Sequence, residues 1–391
     1  CVHAFFCQKL MLKAKQSEFV IFYFLIKFIF KSYKADNSNL IEITEKNQPD
    51  FFTLLHDIVN QVGTKKPLRV YLSPEVNASV TYNSSFWSMW LPVRKNLTVG
   101  VGLINTMTVG ELKFIIAHEF GHFSQKSMKV GSFVHQANKM IYNMLHDNSN
   151  FAGAVEQWSQ VHGLVQVFMS ISIFIIKGIQ WILAKAFDFL YINHMALSRQ
   201  MEFDADSIAA TITGSDVSSS ALLRIDFADT AFTNALQFYA QTATNTKNIF
   251  CNQSVLIKYN AEKQSLKVIN GLPQINLKDH EKNNFSRITI EDQWASHPTI
   301  KQRIESIQRK SPKSTQQDDA LAKTLFQGYD QICEKLTQKA LYLNGINYSE
   351  NFVDENEFLE KYLNTFPEIK YPDFYKSFVL NAASKRITNF I

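Results

Sequence analysis

Ala117-His118-Glu119-Phe120-Gly121-His122-Phe123 is the stretch on which the reading of this chain turns, because it sets two imidazoles four residues apart with a carboxylate between them. On a helix, residues four apart share a face, so His118 and His122 can present ring nitrogens to one metal ion. Glu119 is too near in sequence to make a third ligand of good geometry, but it can accept a proton from a water held by that ion. The helix is written upstream: Thr108 can cap it, Glu111 completes a capping box, and Leu112, Ile115, Ile116 and Phe120 form an apolar face. Ile115-Ile116-Ala117 runs straight into the motif, so these polar groups belong to a largely buried helix and are costly there without a partner. One zinc ion per chain removes that cost; an ordinary surface helix is the alternative.

A third ligand must come from a second element. Glu202-Phe203-Asp204-Ala205-Asp206 offers it. Glu202 can bind the ion while Asp206, one turn later on the same face, accepts the free N–H of a ligating histidine and fixes its tautomer. A solvated acidic helix face is the competing reading.

Taken in order, Ala117 to Phe123, Ser198-Arg199-Gln200-Met201-Glu202-Phe203-Asp204-Ala205-Asp206, and Ser296-His297-Pro298 with Arg303-Ile304 resemble the membrane-associated zinc metallopeptidases that include the heat-shock protease HtpX and the CAAX prenyl proteases. The resemblance covers roughly residues 65 to 310. It implies an α+β, mainly helical fold: a gluzincin-like metallopeptidase core with a small edge-stranded sheet and an active-site helix carrying the motif. It implies zinc on His118, His122 and Glu202, Glu119 as general base, and hydrolysis of peptide bonds in unfolded or membrane-associated polypeptides. The segment from Asn77-Ala78 to Gly102-Leu103 is similar to the family's edge-strand region, which would hold an extended substrate by main-chain hydrogen bonds. His297 is implied to stand near the zinc, where it hydrogen-bonds an oxyanion or caps the metal in a latent state; a plain His-Pro helix start is the alternative. Arg303 is expected to pair with Asp206 or Glu202, behind the groups that hold the ion. The resemblance to HtpX also implies a cell (inner) membrane location with the site facing the cytoplasm. Two other classes stand beside this one: a latent, zinc-bound membrane chaperone or scaffold, and a deformylase-like hydrolase, which would need neither Glu202 nor the long excursion before it.

Composition narrows the rest. With 391 residues and 46% hydrophobic content the chain can bury a sizeable core, and a net charge of +5, dispersed, argues against nucleic acid. Cys1, Cys7, Cys251 and Cys333 show no ligand spacing. Nothing in the pattern fixes an oligomeric state. The expected organisation is an apolar anchor and linker over 1–48, a zinc metallopeptidase domain over 49–310, and a helical C-terminal extension over 311–391. Because the chain begins with Cys1, a fragment or processed product is expected. Phe19 to Phe30 reads as a truncated or interfacial anchor, or as a buried core helix. Val161 to Ile192 cannot cross a membrane once, since that would part His122 from Glu202. Its polar residues Gln166, Ser170, Lys177, Gln180 and Asp188 fall on one stripe, so it reads as an amphipathic helix that lies in the bilayer interface, bends as a hairpin near Gly178, or packs on protein; contact with membrane lipid is the favoured reading.

Elsewhere, Pro49 opens a helix with Phe52, Leu55, Ile58 and Val59 inward, and Gly63 ends it. Leu68 to Leu72 and Leu97 to Leu103 read as strands, Thr211 to Ser215 as a turn, and Leu222 to Thr242 as a helix. Asn260 to Arg287 reads as an irregular or hairpin segment, and Gln317 to Leu343 and Glu355 to Phe366 as helices.

Overall fold

The computed structural model describes residues 38–81, 95–124, 141–142, 163–284, 298–313, 318–346 and 350–367. The expected anchor at Phe19 to Phe30 and the polar stretch after Ser124 fall outside these residues, apart from Ile141 and Tyr142.

A four-stranded sheet and a layer of helices make the body, so the protein is mainly helical with a small sheet. In chain order the first elements are β1 (Ile41–Ile43), α1 (Pro49–Val62), β2 (Arg69–Ser73), β3 (Ala78–Thr81), β4 (Asn96–Gly100), the single turn α2 (Val101–Ile104) and α3 (Val109–Ser124). There follow α4 (Gly163–Thr213), α5 (Ser215–Thr242), α6 (Ile249–Lys263), the hairpin β5 (Val268–Ile269) and β6 (Leu272–Pro273), and α7 (Leu277–Asn284). After α8 (Ile300–Lys310) come a 3₁₀ turn at Ala322–Leu325, α9 (Tyr329–Leu343) and α10 (Glu355–Thr365). Strand order is β1-β2-β4-β3, with β2 and β4 parallel and both outer strands antiparallel to their neighbours.

The helix begun by Pro49 forms as its sequence predicts and ends at Gly63 in a left-handed conformation, with Phe51 rather than Phe52 fully buried beside Leu55, Ile58 and Val59. The predicted strand from Leu97 to Leu103 divides at Gly100, where chain packing overrides the β-rich pattern. A Cβ on Gly100 would stand 1.9 Å from the Glu75 carbonyl oxygen, so only glycine permits the turn into α2. The expected turn at Thr211 to Ser215 shrinks to Gly214, and α5 begins earlier than the predicted Leu222.

From Gly163 onward the stretch that begins at Val161 is uninterrupted helix. It continues through Gly178 and past Glu202 as one 51-residue helix, α4, so the hairpin alternative is not realised and the excursion shares an element with the acidic motif. No helix among the described residues is long and apolar enough to cross a membrane.

One core cluster runs from Ile43 to Phe358. At its centre lies α3, with Leu112, Phe114, Ile115, Ile116, Ala117 and Phe120 all buried. It packs against α1, α4, α5 and β3.

Candidate active site

The start of α3 is capped as its spacing implies. Thr108 Oγ1 accepts the Glu111 N–H at 3.2 Å, and the Glu111 carboxylate accepts the Thr108 N–H at 2.9 Å. Glu111 is also held by buried Arg224 at 3.0 Å and by the Ser220 hydroxyl at 2.6 Å, which ties the helix to α5.

About three turns on, α3 meets α4 at Gly121. A Cβ there would approach the Ala205 Cα to 3.2 Å and its carbonyl oxygen to 3.3 Å, so the glycine sets how closely the two backbones come together. The sequence carried a signal for this contact, because an interior helical glycine costs about 1 kcal/mol against alanine and survives where packing needs it. His118 and His122 on α3 thereby face Glu202 and Asp206 on α4.

The two imidazole Nε2 atoms lie 3.1 Å apart. Glu202 straddles them, one carboxylate oxygen 3.5 Å from His118 Nε2 and the other 3.6 Å from His122 Nε2. Ligands on a tetrahedral ion with bonds of about 2.0–2.2 Å stand roughly 3.3–3.6 Å from one another. The donor set of two nitrogens and a carboxylate, at this spacing, fits zinc. Glu119 is a second carboxylate close by, since its ligand atom and those of both histidines fall within 4.8 Å of one another. Its partner is different, however: the backbone N–H of Val80 in β3 donates to it.

Behind His118, Asp206 Oδ1 lies 3.0 Å from Nδ1, so the ring donates there and turns the Nε2 lone pair toward His122 and Glu202. Arg303, on α8, grips both Asp206 oxygens, from Nε at 2.8 Å and Nη2 at 2.6 Å. Its Nη2 also lies 3.8 Å from Glu202, so the expected pairing with Asp206 or Glu202 falls on Asp206 as the close contact. Thr299 caps α8 in a capping box with Gln302, directly after Pro298, so a helix does start just past the His-Pro pair; His297 itself lies outside the described residues.

Electrostatics follow from this geometry. Burial opposes a charge on His118, but hydrogen bonds to Asp206 and Glu202 outweigh it and raise its pKa to about 9. Burial, with the neighbouring His118 charge, lowers His122 to about 4. Glu119 is pushed above the ordinary carboxylate range by burial, reinforced by Glu202 and opposed by His118. Asp206 is pulled below its ordinary value despite burial, because Arg303 and His118 both donate to it.

Comparison with known proteins agrees with this constellation. A family model described as Peptidase family M48 matches residues 46–311. The "Protease HtpX homolog" of Ralstonia nicotianae is 23% identical over 206 residues, 52% of this chain and 63% of that protein. That of Persephonella marina is 27% identical over 206 residues, 51% of this chain and 62% of the relative. "Protease HtpX" of Glaesserella parasuis is 28% identical over 174 residues, 42% and 54% of the two chains. The chain thus spans between 54% and 63% of the length of these curated relatives. No solved structure matches it significantly. With the match to the family model running from before α1 to just past α8, through every side chain of the site described above, the chain belongs to peptidase family M48.

Proposed function

We propose that the chain is a zinc-dependent metalloendopeptidase with a gluzincin-type core, residues 49–310 forming its peptidase domain, and that it cleaves unfolded or membrane-associated polypeptides. The observation that carries this reading is the set of three buried or half-buried donors, His118 Nε2, His122 Nε2 and the Glu202 carboxylate, at mutual distances of 3.1 to 3.6 Å. Family membership supports it.

His118, His122 and Glu202 would hold the metal, which when bound supplies a Lewis acid that polarises water and the scissile carbonyl. Glu119 takes a proton from the attacking water as the carbonyl carbon gains its oxygen, then delivers that proton to the amine as the C–N bond breaks. Its raised pKa suits both halves of this exchange. Asp206 keeps the His118 ring in one tautomer, and Arg303 balances the Asp206 charge. On β3, the Gly100 N–H donates to Asn77 C=O, so the antiparallel alternation turns the groups of Ser79 and Thr81 toward β4 and those of Ala78 and Val80 away from it, on the strand that packs against α3; the Val80 N–H is given to Glu119, which leaves the Ala78 groups and the Val80 C=O to face a peptide. An extended peptide can add there as a further strand. His297 is retained as a candidate for oxyanion contact or for a latent cap.

Membrane contact is supported by α4 itself, which exposes Phe174, Ile175, Trp181 and Ile182 on one face.

The test is cleavage of casein by zinc-loaded protein in detergent, with Glu119→Gln beside it. Glu119→Gln should keep its zinc and lose turnover by about 10²–10⁴-fold. Equal turnover would remove Glu119 from its role, and no cleavage by either would favour the latent or scaffold reading.

A further inference from the structure

Past the family-matched residues, Pro312 and residues 318–327 meet the beginnings of three helices. Pro312 C=O accepts the N–H of Ser215, the first residue of α5, at 2.9 Å. Asp318 C=O accepts Gly110 N–H at 3.3 Å, and Ala320 C=O accepts Val109 N–H at 2.8 Å, both in the first turn of α3. In return Ala322 N–H donates to Met107 C=O at 2.9 Å, and Thr108 and Leu321 form an antiparallel bridge. At the start of α1, Gln327 N–H donates to Gln48 Oε1 at 2.7 Å while Gln48 Nε2 donates to Gln327 C=O at 3.0 Å. Phe326 packs tilted against Phe51 with ring centroids 4.9 Å apart.

A helix leaves its first N–H groups without internal partners. In α3 the accounting closes only with this segment: Glu111 N–H goes to Thr108 Oγ1 and Leu112 N–H to Thr108 C=O, but Val109 and Gly110 depend on Ala320 and Asp318. The same carbonyls bring partial negative charge to the positive end of the helix dipole. Because Gln48 and Phe51 fasten the segment to α1, the entry end of α3 is fixed from outside the matched region.

We propose that residues 318–327 are a positioning strap for α3: they hold the end of the helix from which His118, Glu119 and His122 are projected, and so set where these side chains stand against Glu202. The catalytic consequence rests on the peptidase reading; the mechanical one does not.

Ala322→Pro tests it in the full chain. Leu321 is already extended (φ −68°, ψ 133°) and Ala322 opens a 3₁₀ turn, so proline suits the backbone and chiefly deletes the N–H given to Met107. Ala322→Val adds comparable bulk at this buried position but keeps the N–H. Gln48→Ala releases the other fastening without adding volume. Two quantities are read: hydrogen exchange at Val109 and Gly110, and zinc affinity of folded protein by chelator competition. Ala322→Pro and Gln48→Ala should each speed exchange at both amides and weaken zinc by about fivefold, the scale of one hydrogen bond, while Ala322→Val, which carries the added bulk but keeps the N–H, should do so clearly less than Ala322→Pro. Parent-like exchange and affinity in Gln48→Ala would overturn the strap, as would Ala322→Val behaving like Ala322→Pro. Should Ala322→Pro fail to fold, Gln48→Ala alone decides. A parent that binds no zinc would sink the peptidase reading and leave amide exchange to judge the strap.

Discussion

Near its C-terminal end α4 buries Glu202 and Asp206, the latter at 0% exposure; twenty to thirty residues earlier the same helix exposes Phe174 at 78%, Trp181 at 66% and Ile182 at 61%. Each end departs from the ordinary distribution of polarity, in opposite senses. Buried carboxylates are stable only where partners satisfy them, and the site shows those partners in Arg303 and the two histidines. Exposed aromatics cluster on one face where something apolar is to be met. The contrast teaches that α4 is a single lever joining an inward-facing polar end to an outward-facing apolar one, and that the two ends can be broken separately.

The largest loss is expected at the polar end. Asp206→Ala leaves the half-buried Arg303 guanidinium without its bidentate acceptor, which costs up to about 3 kcal/mol of stability. It also frees the His118 ring, so zinc affinity should fall about 10–100-fold. Thermal melts and chelator competition measure the two effects. A variant with unchanged zinc affinity would show that Asp206 does not orient His118.

Proton uptake comes next in size. The metal-free site holds a proton on His118 up to about 9 against an ordinary 6.5, through Asp206 and Glu202 and in spite of burial. A raised folded pKa contributes stability that is complete below the unfolded value and lost as pH climbs through the folded one. Metal-free protein should therefore weaken between about pH 6.5 and 9, over the window in which the zinc-loaded form should not. His122, lowered to about 4, has no proton to lose there. Zinc uptake at neutral pH should then expel about one proton, read by calorimetry in buffers of different ionisation enthalpy. No dependence on buffer would mean that His118 is already neutral.

What could be read from sequence was what depends on spacing. The Thr108 and Glu111 capping box, the His118 and His122 pair, and the four-residue step from Glu202 to Asp206 all place side chains by helical period alone, and the structure brings them together as that period requires. Contacts made by main chain left no such mark. Asp318 and Ala320 act through carbonyl oxygens that every residue owns, so a segment predicted as helix from Gln317 reaches α3 as a strap with a single 3₁₀ turn instead, and the α-helix begins only at Tyr329. The length of α4 was hidden for another reason: Gly178 looks like a break, but a glycine costs only about 1 kcal/mol in a helix, too little to stop one of 51 residues.

Gly121→Ala probes the junction between the two helices with a smaller expected effect. The added methyl meets Ala205 backbone at 3.2 and 3.3 Å, so α3 and α4 must part by a few tenths of an ångström. Overpacking of about 1–3 kcal/mol is partly offset by about 1 kcal/mol of helix propensity. The chain should fold with little change in melting temperature yet bind zinc several-fold more weakly, because the histidines withdraw from Glu202. Unchanged affinity would mean that helix approach does not set the ligand spacing.

The smallest effect on the folded molecule is expected at the apolar end, and it separates the two ends most cleanly. Phe174 and Trp181 make little use of the core, so replacing both by serine should change stability by no more than about 0.5 kcal/mol and leave casein cleavage at the parent rate. Each of these side chains is worth about 1.5–3 kcal/mol on leaving water for an apolar phase, and exposed Lys177 and Lys185 beside them favour an anionic surface. Sedimentation with vesicles of anionic phospholipid should therefore fall by more than tenfold in the double variant. Were vesicle binding unchanged while the melting temperature dropped, the stripe would be packing surface, and α4 would be polar-buried at one end without being a lipid contact at the other.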